Sequence, residues 1–280
     1  TKAHTTGRKW SAAGVSIDSR KVQPKDIFIA FRGSKVDGHC YVADAFEKGA
    51  AAAIVERKID GLSEESPILI VQNVQKALVQ IACLARNRSE AEFVAVTGSV
   101  GKTSSKNLLA KALAQFDSVH ATIGNLNNHI GAPLSLARLH GSSRFAVFEL
   151  GMNNTGEIAF LSNLIRPKVA LITNVHGVHL EQLKTERAIA EAKAEIFNGL
   201  SKNGSVVLNQ DNPWIDFLKS RAEKKGIKNI ITFGEDKKSD LQLLEWQPGE
   251  GKSFVKIQLK KETHQYVLSE TGKHRALNSV

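Results

Sequence analysis

The chain reads as an α/β protein, with a small N-terminal α/β unit followed by a larger, mostly parallel sheet. Three observations predict this. Short apolar runs suited to buried strands alternate with amphipathic helical segments through residues 93–233, the pattern of a parallel sheet with helices on both faces. The first of these runs ends in a glycine turn that opens a helix at Lys102-Thr103-Ser104. A length of 280 residues exceeds one minimal domain and suits about two.

In the N-terminal unit, residues 26–31 and 50–55 are apolar enough for strands, and 68–71 follow Pro67 as a third. A helix over 41–48 stops at Gly49, a normal C-terminal signal. A second helix over 74–88 puts Leu78, Ile81, Ala82 and Ala85 on one face. The polar run 87–90 then closes the unit, dividing the chain into domains 1–89 and 90–280. Asp18-Ser19-Arg20 and Phe31-Arg32-Gly33 flank a strand. Two arginines and a hydroxyl there could bind a phosphate; either arginine could equally be a surface charge.

The larger unit opens with a strand at 93–96, the turn Thr97-Gly98-Ser99-Val100-Gly101, and a helix from Lys102. Leu109, Ala112, Leu113 and Phe116 form that helix's expected apolar face. A helix start leaves backbone N–H groups unpaired and carries partial positive charge. Glycines at 98 and 101 let the chain wrap an anion without a Cβ in the way. Lys102 would reach the β- and γ-phosphates and the Thr103 hydroxyl would ligand Mg²⁺. The full pattern wants a glycine five places before Gly101, where Val96 stands. Further strands are expected at 145–150, 169–173, 206–208 and 230–233, and alternation over 241–268 marks a small antiparallel excursion.

Ligands gather at the carboxyl ends of parallel strands, where Glu149, Asn174, Asn209 and Asp211 fall. Mg²⁺ takes oxygen ligands and keeps several waters. Glu149 is thus either a second metal ligand or a solvated strand-end carboxylate. His176 and His179 follow the next strand and read equally as structural or as ligands. Lys193 lies on the apolar face of a helix over 185–200, four residues from both Ile189 and Phe197. An inward lysine snorkels, pairs with a carboxylate, or is modified; a neutral, desolvated amine can take up CO₂ as a carbamate. The loop 123–133 is dense in amides and glycine, Asn127 and Asn128 among them, and reads as a shaped polar loop at the same edge.

Composition narrows the classes. The formal charge of +10 points to an anionic partner or to a basic surface carried for solubility. Aromatics at 6% and the lack of an Arg-rich run argue against nucleic acid. No stretch approaches the roughly 18 apolar residues of a membrane span. Cys40 and Cys83, far apart and without a CxxC, are expected to be reduced, buried thiols of a cytosolic protein.

These residues together resemble the Mur ligases, which add amino acids or a dipeptide to the UDP-linked peptidoglycan precursor. TGSVGKTS is similar to their ATP loop, including the absent first glycine. The segment from SIDSRK to AAAIVE resembles the UDP-binding domain of the MurE and MurF types. GNLNNHIGAP, FELGMNNTGEI and RPKVALITNVHGVHLE resemble the type that adds D-alanyl-D-alanine. The resemblance implies an ATP-dependent ligase that joins D-alanyl-D-alanine to UDP-N-acetylmuramoyl-tripeptide through an acyl phosphate. A MurE-like or folylpolyglutamate-synthase-like ligase is the alternative. The protein is expected to be a cytoplasmic monomer with no nucleic-acid or membrane partner.

For individual residues, the resemblance implies that Thr97, Gly98, Ser99, Val100, Gly101, Lys102, Thr103 and Ser104 hold ATP and that Asn278 approaches the adenine. Thr103, Glu149, His179 and a carbamylated Lys193 would ligate Mg²⁺, with Lys102, Lys193 and His179 catalytic. Ser19, Arg20, Arg32, Gly33, Asn127 and Asn128 would serve the UDP precursor. Two departures stand out. Arg275 replaces an asparagine of the family pattern, and Asn154 replaces a histidine after ELGMN. The family's third domain would follow Val280, so this chain is expected to be a fragment, inactive in ligation alone.

Overall fold

The computed structural model describes residues 4–6, 9–34, 36–177 and 185–280. The chain forms two compact units, Thr1–Ser89 with Pro133–Leu139, and Glu90–Ala132 with His140–Val280. The inclusion of 133–139 in the first unit has no local signature in the sequence.

The first unit holds β1 (His4–Thr6), β2 (Gly14–Ser16), β3 (Asp26–Ile29), α1 (Val42–Glu47), β4 (Ala52–Val55), β5 (Ile68–Ile70) and α2 (Val74–Arg88). Its sheet runs β1-β5-β4-β3-β2, parallel except for the β1–β5 pair. Phe28, Val42, Ala45, Ala53, Val55 and Ile68 make its core. The Asn73 side chain caps α2 by accepting the Lys76 N–H at 2.7 Å, and the helix buries Val74, Ala77, Leu78, Ala82 and Ala85.

The second unit is built from β6 (Glu92–Thr97), α3 (Lys102–Leu113), β7 (Val119–Ala121), α4 (Gly131–Ala137, whose later residues belong to the first unit), β8 (Phe145–Glu149) and α5 (Glu157–Ile165). It continues through β9 (Val169–Ile172), α6 (Glu186–Ala194), β10 (Ser205–Asn209), α7 (Ile215–Lys224), β11 (Asn229–Gly234), β12 (Leu241–Gly249), β13 (Lys252–Leu259), β14 (Glu262–Leu268) and α8 (Lys273–Ser279). The sheet order is β14-β13-β12-β11-β10-β9-β6-β8-β7. Pairs from β7 through β12 are parallel, and β12–β14 form the expected antiparallel excursion. From β6 the chain leaves for the β7 edge, returns beside β6 as β8, then crosses to its other side as β9. The turn after β6 therefore opens at a switch point of the sheet, where ligands bind. Phe93 and Phe148 stack across β6 and β8 at 6.0 Å, fixing the pair from within.

Three expectations need correction. The helix from Lys102 ends at Leu113, so Phe116 lies in the following turn and is 81% exposed, not part of an apolar face. The helix over 185–200 is α-helical only to Ala194 and tightens to 3₁₀ over Glu195–Gly199. Cys40 and Cys83 are free but exposed, not buried; Cys83 sits one position past Ala82, off the buried stripe of α2.

In the first unit, Asp37 ties a 3₁₀ turn together. Its carboxylate accepts the His39 N–H at 3.0 Å and lies 2.6 Å from His39 Nδ1, with the Arg57 guanidinium at 3.2 Å. His39 Nε2 accepts the Glu56 N–H at 2.9 Å, which puts the ring proton on Nδ1. Bonds from the His39 main chain and ring, then Arg57, lower the Asp37 pKa to about 2. A depressed carboxylate pKa contributes stability that is complete above the unfolded value and is lost as pH falls through the folded one. With partial solvent screening, this is worth about 1 kcal/mol. Asp37→Asn should therefore lower unfolding stability by about 1 kcal/mol at pH 7. Urea titrations should show that deficit shrinking as pH falls from 4 toward 2.

Candidate nucleotide site

The turn between β6 and α3 is held from the strand beside it. Thr173, just past β9, donates its hydroxyl to the Val100 carbonyl at 2.6 Å. Asn174 accepts the Val100 N–H at 2.9 Å and donates to its carbonyl at 3.1 Å. Its own carbonyl accepts the Ser99 N–H at 3.0 Å, and Ser99 Oγ donates to the His176 carbonyl at 3.0 Å. The Thr97 hydroxyl ties the end of β6 to the Leu150 carbonyl at 2.9 Å. The loop is thus braced in its shape by main-chain and side-chain bonds of its own unit.

Two glycines allow that shape. A Cβ on Gly98 would overlap the Thr173 hydroxyl. Gly101 has φ +84°, in the left-handed region, and a Cβ there would press on the Asn278 amide at 2.7 Å. Asn278 of α8 thus lies against the loop, and its amide is 3.5 Å from Ser104 Oγ. Arg275 on the same helix pairs with Glu270 at 3.0 Å.

Lys102 folds over the loop, donating to the Gly98 carbonyl at 2.8 Å and that of Ser99 at 3.2 Å. Burial lowers its pKa, opposed by the charge of Glu149. Thr103 donates to Glu149 Oε2 at 2.8 Å. Glu149 closes β8 and is 1% exposed. Its other oxygen accepts from Asn127 Nδ2 at 2.8 Å, and its N–H donates to Thr122 Oγ1 at 3.2 Å. Asn128 turns its loop by accepting the N–H groups of Ile130 and Gly131, at 3.1 and 2.8 Å.

Lys193 is 2% exposed, inward as its periodicity predicts. Burial, with Lys102 beside it, lowers its pKa to about 7. A cavity of about 190 Å³ is lined by Gly98, Lys102, Asn127, Asn128 and Lys193. It also reaches Asn153 and Glu157, which sequence reasoning passed over. Glu157 accepts the Asn153 N–H at 2.8 Å and the Asn154 amide at 2.9 Å; the asparagine standing for the family's histidine is therefore a structural partner of α5. His176 is exposed, and only its main chain touches the loop. His179 lies outside the described residues. Among the described residues, no group of three His, Cys, Asp or Glu side chains forms a metal cluster. The donor set for a hard cation is Thr103 with Glu149, a hydroxyl and a carboxylate, which suits Mg²⁺ completed by phosphate and water.

In the first unit, Ser19 follows β2 and Arg32 follows β3, so both stand at carboxyl ends of neighbouring parallel strands. Ser19 is buried, and its carbonyl accepts from Lys48 Nζ at 3.0 Å. Arg20 is exposed but already forked onto Asp18, at 2.9 and 2.8 Å. That bond, with the Arg20 N–H and charge outweighing burial, lowers the Asp18 pKa to about 2. Arg32 is exposed and its main chain bridges to Asp37; the Gly33 N–H donates to the Val36 carbonyl at 2.9 Å.

Comparison with known proteins adds a family to this geometry. Residues 96–280 match the Mur ligase middle domain, and residues 11–86 match the domain described as "Mur ligase family, catalytic domain". The UDP-N-acetylmuramoyl-tripeptide–D-alanyl-D-alanine ligase of Rickettsia prowazekii is 40% identical over 231 residues, 82% of this chain and 51% of the relative. MurF from Acinetobacter baumannii superposes with a TM-score of 0.83 at 30% identity, covering 94% of this chain and 57% of that one. MurF from Thermotoga maritima in complex with ADP gives 0.81 at 30% identity, covering 95% and 61%. The chain spans about half the length of the curated relatives it matches.

Proposed function

The chain belongs to the Mur ligase family, and from that premise we propose that it is the nucleotide- and precursor-binding part of an ATP-dependent ligase adding D-alanyl-D-alanine to UDP-N-acetylmuramoyl-tripeptide. The observation that carries the reading is the convergence of Lys102, Lys193 and the asparagine loop on one cavity, with Thr103 hydrogen-bonded to buried Glu149 beside it. The name shared by the relatives favours this over the MurE-like and folate-type alternatives.

In this reading ATP lies on the loop from Thr97 to Ser104, with Asn278 toward the base. Lys102 exchanges its loop carbonyls for the β- and γ-phosphates. Thr103 and Glu149 hold Mg²⁺, which supplies charge stabilisation to the phosphoryl group when bound. The precursor's terminal carboxylate attacks the γ-phosphorus, ADP leaves, and an acyl phosphate forms. The amine of D-alanyl-D-alanine then attacks the acyl carbon and phosphate leaves. Lys102 and the α3 N-terminus stabilise the charge that develops on the transferring group. Ser19, Arg20, Arg32 and Gly33 take the UDP end of the precursor. Lys193, as a carbamate formed from its neutral amine and CO₂ with release of a proton, would offer an anionic oxygen to Mg²⁺, and His179 would be a further ligand. A UDP-linked precursor places the reaction in the cytoplasm, and we expect a monomer with no nucleic-acid or membrane partner.

Two outcomes test this. Lys102→Ala should weaken ATP binding roughly tenfold to a hundredfold, since one charge-assisted contact is worth about 1.5–3 kcal/mol; calorimetry showing unchanged affinity would mean the loop is only a turn. Incubation with ¹³C-bicarbonate at pH 8 should give a carbamate carbon signal that Lys193→Ala removes. A spectrum identical in both proteins would exclude the carbamate.

A further inference from the structure

Lys106 stands one helical turn beyond Lys102 and is 2% exposed, a lysine buried in a position where α3 could carry a leucine. Burying an ammonium is costly unless it is compensated. Its one described hydrogen bond, at 2.6 Å, goes to the Thr122 carbonyl, and the carboxylate of Glu149 provides the opposing charge. Thr122 is also nearly solvent-free. Its N–H extends the β7–β8 ladder to the Val147 carbonyl at 3.0 Å, and its hydroxyl accepts the Glu149 N–H at 3.2 Å. From Thr122 the chain enters the loop that brings Asn127 to Glu149 Oε1. The Asn127 carbonyl in turn accepts the Gly151 N–H at 2.8 Å. Lys106 therefore grips a residue that both supports the Glu149 main chain and begins the asparagine loop, and it does so from the helix that carries Lys102 and Thr103.

We propose that Lys106 is a positioning residue: its ammonium anchors the Thr122 carbonyl and so holds Glu149 and the asparagine loop in register with the phosphate loop. The proposal rests on the nucleotide reading above for its consequence, but not for its geometry. Lys106 makes no described hydrogen bond to residues 123–131 or to the Glu149 amide, so it reaches them through the Thr122 carbonyl and through its charge facing Glu149.

The test uses Lys106→Met, an apolar side chain one atom shorter that lacks the ammonium, and Thr122→Val, which exchanges the hydroxyl for a methyl group. Amide hydrogen exchange without nucleotide should show faster exchange at Glu149 and through residues 123–131 in Lys106→Met, with the rest of the sheet unchanged. Thr122→Val should reproduce the change at Glu149. Mg-ATP affinity of Lys106→Met should fall roughly tenfold, as expected for misplacing a charge-assisted contact. Exchange altered only within α3, or raised evenly across the unit, would overturn the proposal. So would Mg-ATP affinity within about twofold of wild type. A wild-type chain that binds no Mg-ATP would overturn the nucleotide reading instead, and the exchange measurement alone would then decide the positioning role.

Discussion

A carboxylate with 1% exposure must find its compensation within the protein, and Glu149 finds it on several sides. Thr103 donates from the first turn of α3, Asn127 from the loop after β7, and Thr122 supports the main chain behind it. Lys102 and Lys106 add positive charge from one face of the same helix. The partners come from α3 and from the segment after β7, so the position of Glu149 constrains α3, β8 and that segment together. Removing one partner would leave a buried charge short of compensation, which costs far more than the partner's own net contribution.

That constraint explains why the phosphate loop needs external bracing. The helix start supplies unpaired N–H groups and partial charge, but its orientation is set elsewhere. Thr173 and Asn174 clamp Val100 from the end of β9, and Thr97 is tied to Leu150 at the end of β8. A loop fixed in this way is organised before any ligand arrives, so less ordering has to accompany binding.

Much of this was legible in the sequence because local rules coincide with tertiary ones. The strand–glycine–Gly-Lys-Thr-Ser order marks a helix start with unpaired N–H groups by backbone chemistry alone, and a single apolar stripe marks α2. Lys193 was legible as inward because its helix has one apolar face. Lys106 was not: on a helix of mixed polarity a lysine reads as surface, and only the Thr122 carbonyl and Glu149 make its burial tolerable. Phe116 failed for a different reason, since periodicity does not say where α3 stops. The tightening after Ala194 and the membership of 133–139 in the first unit depend on packing against distant segments. The neighbours of Arg20 were equally hidden, because Asp18 is close in sequence but its fork onto the guanidinium is a matter of rotamers.

In the proposed reading, Glu149 is the carboxylate that couples a cation to the loop after β6. Calorimetric titration of ATP into wild type and Glu149→Gln, each with Mg²⁺ and with chelator, tests this most directly. Glutamine keeps the shape and can still pair with Thr103, but it cannot supply an anionic ligand. The account predicts that Mg²⁺ strengthens ATP binding to the wild-type chain and that most of this strengthening disappears in the variant, while its affinity for metal-free ATP is equal or tighter. Mg²⁺ strengthening ATP binding as much in Glu149→Gln as in wild type would contradict it.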